Sequence, residues 1–219
     1  MSEYTMVEKR INPKSLAIFV IWLFQVSAII GISLGFQEWF ITKTPINLLL
    51  TGVLLIFYFP IESLRKAFPV VLIFAASILI EWIGVHFGFL FGVYEYGNNL
   101  GFKIDGVPLL IGVTWVTLIL STAAMADRLV KPVYVKVIVG ALLMVLIDFF
   151  IETSAPPFDF WIWAEGVAPI RNYVAWFGVS LVLHTFYHQQ KMKGDFTFSC
   201  HIYAAQLVFF IYFYGFHHV

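Results

Sequence analysis

Seven apolar runs, at roughly 16–35, 45–60, 69–91, 108–126, 133–151, 172–187 and 200–216, constrain this 219-residue chain more than any other feature. Each is close to the ~17–25 residues that an α-helix needs to cross a bilayer, the second and sixth being at the short end. Inside lipid, a spanning segment must satisfy its backbone polar groups internally, so isolated runs of this length read as helices. Polar or Pro/Gly-containing connectors separate them, without a long linker, low-complexity tract or internal repeat. The predicted architecture is all-α: a polytopic transmembrane helix bundle of about seven spans. It forms a single integral-membrane domain over 1–219, with a cytoplasmic tail at 1–15 and the bundle at 16–216. A composition that is 61% hydrophobic and 12% charged requires lipid as the solvent for much of the surface. Basic residues precede the first run, as in a signal peptide. The run is nevertheless of spanning length and no small-x-small cleavage site follows, so it reads as a retained first helix.

Lysine and arginine positions give the orientation. With the N-terminus in the cytoplasm, the inner side carries Lys9, Arg10, Lys14, Arg65, Lys66, Arg128, Lys131, Lys136, Lys191 and Lys193, and only Lys43, Lys103 and Arg171 lie outside. Ten of 13 on one side is the positive-inside asymmetry. It predicts a multi-pass protein of the cell (inner) membrane with its C-terminus outside. Acids sort the other way. Glu38, Glu95, Asp105, Asp148, Glu152, Asp159 and Glu165 fall at or beyond the outer ends of spans, while Glu81 interrupts the third span. Intramembrane chemistry therefore belongs to the outer half. The zero formal net charge argues against nucleic acid as a partner, and the single Cys200 excludes an intramolecular disulfide.

An ionised carboxylate at the position of Glu81 would cost several kcal/mol, so Glu81 is protonated, paired or set in a polar cavity. Gly84 and Gly88 share its face and would let another helix approach; a structural interhelical hydrogen bond is the bland alternative. His86 lies five residues on, about 140° around the helix and on the face of Trp82, where a satisfied polar contact competes with a binding role. Asp148 and Glu152 are four residues apart, on one helix face. They suit cation binding, acid–base work or simple ionisation in headgroup water, with the apolar flanks of Asp148 in LIDFFI making it the sharper candidate. Aromatic residues of GVYEYGNN and WIW fit an interfacial belt. The belt does not explain why they alternate with Glu95, Asp159, Glu165 and Arg171. Aromatic faces beside carboxylates also suit a cationic intermediate. His184 and His188 share a face, yet no third or fourth ligand has metal-site spacing. Histidine boxes of the HxxHH kind, a Gly-rich dinucleotide fingerprint and a serine nucleophile elbow are absent from the sequence. The reading is therefore acid–base chemistry with no cofactor and no metal.

Two stretches, FGVYEYGNNLGFKIDGVPLLIGVTW (91–115) and DFFIETSAPPFDFWIWAEGVAPIRNYVAWF (148–177), resemble the integral-membrane carotenoid biosynthesis family that includes the carotenoid hydratases. The combination of GVYEY, VPLLIGVTW, the D-x-x-x-E pair, WIW and NYVAW carries the resemblance. Thr153 stands where that family commonly has proline, and Asp159 where it frequently has glycine. The resemblance implies addition of water to the terminal C=C of an acyclic carotenoid end group, with the substrate drawn from membrane lipid. A carboxylic acid would protonate the end group to a tertiary carbocation, which water would capture. On this reading Asp148 or Glu81 is the acid and Glu152 or Glu95 orients the water. Tyr94, Tyr96, Trp115, Trp161, Trp163, Asn172, Trp176 and His86 line the substrate site. Other carotenoid-pathway enzymes are the expected partners. A carotenoid end-group cyclase would use the same protonation and is the nearest alternative. A proton-coupled transporter is the rival from another class, disfavoured by the lack of an inverted repeat and of acids in the inner half of the spans.

Overall fold

The computed structural model describes residues 12–218, with side chains through Phe216. The tail at 1–11, including Glu3, Glu8, Lys9 and Arg10, lies outside the described residues, as do the side chains of His217 and His218. Seven long helices account for the seven apolar runs. They are α1 (Pro13–Ser33), α3 (Thr44–Tyr58), α4 (Leu64–Phe87), α5 (Leu109–Leu129), α6 (Val133–Ser154), α7 (Ile170–Gln189) and α8 (Phe196–His218), with a short α2 (Gln37–Ile41) leading into α3. Among the described residues, six segments, counting Gln37–Tyr58 as one, are long and apolar enough to cross a membrane. The less apolar helix is α7, because it turns Asn172, Ser180 and His184 into the protein, each almost completely buried. Apolar side chains such as Phe19, Val71, Leu142 and Val182 project outward, as a lipid-facing surface requires.

Local chemistry sets the helix ends. Asn12 caps α1 by accepting the Lys14 N–H (3.0 Å), so the helix begins at Pro13, three residues before the predicted start. Pro45, in the first turn of α3, restarts the helix after the break at Thr42 and Lys43. Ser63 caps α4 six residues earlier than expected, so Pro69 lies inside the helix instead of opening it. Gly88 ends α4 in the left-handed conformation (φ 63°), which cuts the predicted 69–91 span short and makes this glycine a cap instead of a packing contact.

Helix α5 is central, packing against α3, α4, α6, α7 and α8, with Trp115, Leu118, Ile119 and Leu120 fully buried. The chain closes by packing α1 against α8. Two small antiparallel ribbons were not anticipated in the outer connectors. Strand β2 (Lys103–Ile104) pairs with β3 (Val107–Pro108) around Asp105-Gly106, both at positive φ, which is the two-residue Asp-Gly hairpin turn. Strand β1 (Tyr94–Tyr96) pairs with β4 (Trp161–Trp163), joining connectors more than sixty residues apart.

Candidate active site

The β1–β4 ribbon builds the site through the two-residue period of a strand. Tyr94 and Tyr96 point inward and Glu95 outward; Trp161 and Trp163 point inward and Ile162 outward. In register, Tyr94 faces Trp163 and Tyr96 faces Trp161, so four aromatic rings stand together on the inner face. Glycine is required beside this ribbon: a Cβ on Gly97 would sit 2.2 Å from Asp159 Oδ1 and 2.3 Å from its carbonyl oxygen. Asp159 adopts φ 52°, a conformation natural to the glycine expected there, and its carboxylate accepts from the Asn98 backbone N–H (2.9 Å).

All four inward side chains donate hydrogen bonds to buried carboxylates. The hydroxyls of Tyr94 (2.7 Å) and Tyr96 (2.6 Å) donate to Glu81 Oε2, and the Trp115 indole N–H donates to Glu81 Oε1 (2.8 Å). The indoles of Trp161 (3.0 Å) and Trp163 (2.6 Å) donate to Glu152 Oε2. Asn172, in the first turn of α7, donates through Nδ2 to both Glu152 Oε1 (3.0 Å) and Asp148 Oδ2 (3.1 Å). Asp148 is wholly buried, and its Oδ1 has no partner. Three donors on each glutamate, worth roughly 1.5–3 kcal/mol apiece to a charged group, offset part of the desolvation of a carboxylate. Asp148 has one donor and lacks that compensation.

Between these groups lies a chamber of about 20 Å3 lined by both glutamates, the four ribbon aromatics, Asn172, Trp176, Phe91 and Ile111. On the ~10–15 Å3 that a water needs, it holds one water-sized group. Trp115 stacks on Trp176 with centroids 4.1 Å apart, closing one wall. A larger, mostly apolar cavity of about 370 Å3 adjoins the chamber, sharing Ile111, Trp161 and Trp176 with it. This is within the range of ligand pockets, roughly 300–1,000 Å3. Helices α1, α3 and α8 supply most of its remaining walls.

Ten of the twelve residues singled out in the sequence therefore converge: Glu81, Tyr94, Tyr96, Trp115, Asp148, Glu152, Trp161, Trp163, Asn172 and Trp176. Glu95 does not join them, because strand alternation turns it to the exposed face. Nor does His86, which stacks on Trp82 (4.5 Å) and lies 3.2 Å from Asp105 at the outer rim. Gly84 has a different role from the one expected. It makes room for the Phe91 ring and the Tyr94 hydroxyl of the following connector, not for a helix. Sequence reasoning missed Phe91 and Ile111 in the chamber and the contribution of α1 to the large cavity. Among the described residues, no group of three or more His, Cys, Asp and Glu is placed to hold a metal ion.

Fold and site together define a polytopic membrane protein with a buried carboxylate–aromatic chamber beside an apolar cavity. Residues 43–219 match the family described as carotenoid biosynthesis protein, and the chain belongs to that family. Comparison with curated proteins and with solved structures finds no match.

Proposed function

We propose that this protein is a carotenoid hydratase of the cell membrane, adding water to the terminal C=C of an acyclic end group without a cofactor. The observation that carries the reading is the amide of Asn172 shared between two buried carboxyls, Asp148 and Glu152, at the edge of an aromatic chamber. Two like charges this close and this far from solvent do not both persist, so the pair holds one proton between them. Glu152 faces the chamber and Asp148 sits one turn deeper, so Glu152 delivers that proton and Asp148 positions and replenishes it.

The polyene lies in the apolar cavity with its isopropylidene end against Trp161 and Trp176. Proton transfer from Glu152 to the CH carbon of the double bond forms a C–H bond and leaves a tertiary carbocation on the dimethyl-bearing carbon. Glu81, held by three donors, supplies a fixed negative charge, and the aromatic faces add cation–π attraction. One water attacks the cation, forming the C–O bond, and its surplus proton returns to the carboxylate pair. Alkene plus water becomes a tertiary alcohol, and the enzyme ends as it began. A chamber with room for one water-sized group suits capture of the cation over ring closure, which would need space for a folded end group.

The test is expression in a bacterium that accumulates lycopene, followed by mass analysis of the pigments. The expected result is a product heavier by one water. New ring ends at unchanged mass would make the protein a cyclase, and unaltered pigment with the protein present in the membrane would overturn the reading.

A further inference from the structure

The large cavity, whose walls on α1 and α8 include the buried Gln25 and Gln206, meets the chamber at three side chains common to both linings: Ile111, Trp161 and Trp176. The passage from a space of about 370 Å3 to one of about 20 Å3 therefore runs between them. Two of the three are pinned. Trp161 is held by its indole N–H on Glu152 (3.0 Å) and by strand pairing with Tyr96, and Trp176 by its stack on Trp115. Ile111 is aliphatic, so the volume of its side chain sets that side of the passage. Its backbone is fixed on both flanks. The Leu109 N–H donates to the Phe102 carbonyl (3.0 Å), and Gly112 packs so closely on α4 that a Cβ there would stand 2.8 Å from the Phe74 ring. Shortening Ile111 therefore opens space that the helix does not close.

Resting on the hydration reading of the same site, we propose that Ile111 decides the fate of the cation, by keeping the polyene end extended so that water is the nucleophile within reach. The rival nucleophile belongs to the substrate. With the proton added and the cation on the dimethyl-bearing carbon, the π electrons of the next double bond along the chain can attack it, forming a C–C bond that closes a ring. The cation passes to the ring and is discharged when a ring carbon returns a proton to the carboxylate pair. Glu152 recovers the proton that it lent, no water is consumed, and the net change is an isomerisation. That path requires the end group to fold back on itself where the cavity meets the chamber, and Ile111 occupies part of that space. Obstruction of one conformation, not attraction to another, is then what fixes the product.

The experiment expresses the full chain and its Ile111→Ala variant in the lycopene-accumulating bacterium and reads the pigments by mass and by absorption. A hydrated end adds one water and leaves the chromophore unchanged, whereas a ring end keeps the mass and shifts absorption to shorter wavelength. The ratio of ring ends to hydrated ends is expected to rise at least about tenfold in Ile111→Ala, the usual worth of a methylene or two of fit. Ile111→Val is expected to fall between the two, and it carries the same test should Ile111→Ala fail to fold in a thermal melt. A ratio within about twofold of the parent's in the folded variants overturns the proposal. A second measurement needs no turnover: binding of lycopene and of ring-ended β-carotene to the protein in detergent, read by quenching of tryptophan fluorescence, since Trp161 and Trp176 border the passage. The parent is expected to bind lycopene at least about tenfold more tightly, and Ile111→Ala to bring the two within about twofold. If that preference appears and is lost in the variant while no pigment is converted, the role of Ile111 stands and hydration fails alone. Hydration by the parent with equal binding of the two polyenes and an unmoved product ratio does the reverse, and equal binding by an inactive parent overturns both.

Discussion

The outer and inner halves of the α5–α6–α7 interface are both polar and both buried, yet they differ in kind. In the outer half, two glutamates and an aspartate meet six N–H and O–H donors around a chamber that adjoins a large cavity. In the inner half, His184 is fully buried, with Nδ1 against the Ser180 carbonyl (2.7 Å) and Nε2 against the Thr122 hydroxyl (2.9 Å). Its ring fills the space left by Gly140, where a Cβ would lie 2.3 Å from Cδ2. Below it, Asp127 pairs with Lys136 at 2.7 Å. The inner cluster leaves His184 no unused hydrogen-bonding valence and no room beside it, so its work is to hold helices together. The outer cluster surrounds a void that both glutamates and their aromatic donors line. Burial of polar groups does not distinguish a site from a joint; polar groups that border accessible space do.

Substitutions test that contrast most strongly at the carboxylate pair. Glu152→Gln and Asp148→Asn are expected to lower the rate of pigment conversion in isolated membranes by about 10²–10⁴-fold, the usual worth of a general acid, with protein level little changed. Glu81→Gln combines both behaviours. It is expected to reduce turnover and also to lose roughly 2–3 kcal/mol of stability in a detergent melt, since three donors lose their charged acceptor. His184→Leu is expected to lose about 1–3 kcal/mol while leaving turnover per folded molecule within about twofold of the parent. A large drop in that turnover would erase the distinction between the halves. Gly97→Ala should disturb the β1–β4 ribbon by about 1–3 kcal/mol of overpacking and slow turnover through misplaced aromatics.

The smallest effect is at the outer rim. The Trp82 indole N–H donates to Asp105 (2.7 Å), and this hydrogen bond, with a smaller contribution from His86, holds the Asp105 carboxyl below its ordinary value. A carboxyl lowered by folding stabilises the fold above its unfolded value near about 3.9, and that contribution disappears as pH falls through the folded value. Asp105→Asn should therefore melt slightly below the parent at pH 6, with the gap closing below about pH 4.

Much of this was legible in the sequence, and the exceptions have physical reasons. The runs that became α1 and α3 to α8 follow from length and hydropathy, because lipid permits little else. Nine site residues were recognisable as acids and aromatics collected on one side of the membrane, with the amide of Asn172 beside them. The period-two alternation of Tyr94-Glu95-Tyr96 and Trp161-Ile162-Trp163 was equally visible. Read as strand instead of loop, it would have turned Glu95 outward at once. That these two segments pair with each other was not legible, since no local signal links residues sixty positions apart. The large cavity was hidden for a different reason. In an apolar helix, the face toward lipid and the face toward a cavity have the same composition, so only polar exceptions such as Gln25 and Gln206 mark the inward side.

The contact of the first helix with the last has a consequence for how the molecule is made. Trp22 donates its indole N–H to His201 (3.1 Å), Ser33 meets Tyr212 (2.8 Å), and Lys14 pairs with Asp195. About 160 residues separate the two helices, so at ~5–20 residues per second α1 waits roughly 10–30 s in the bilayer before α8 is synthesised. Throughout that interval its polar face has no mate, and the large cavity lacks a wall. A chain cut before α8 therefore leaves the Trp22 indole N–H without its acceptor and Gln25 without the opposite wall of its cavity.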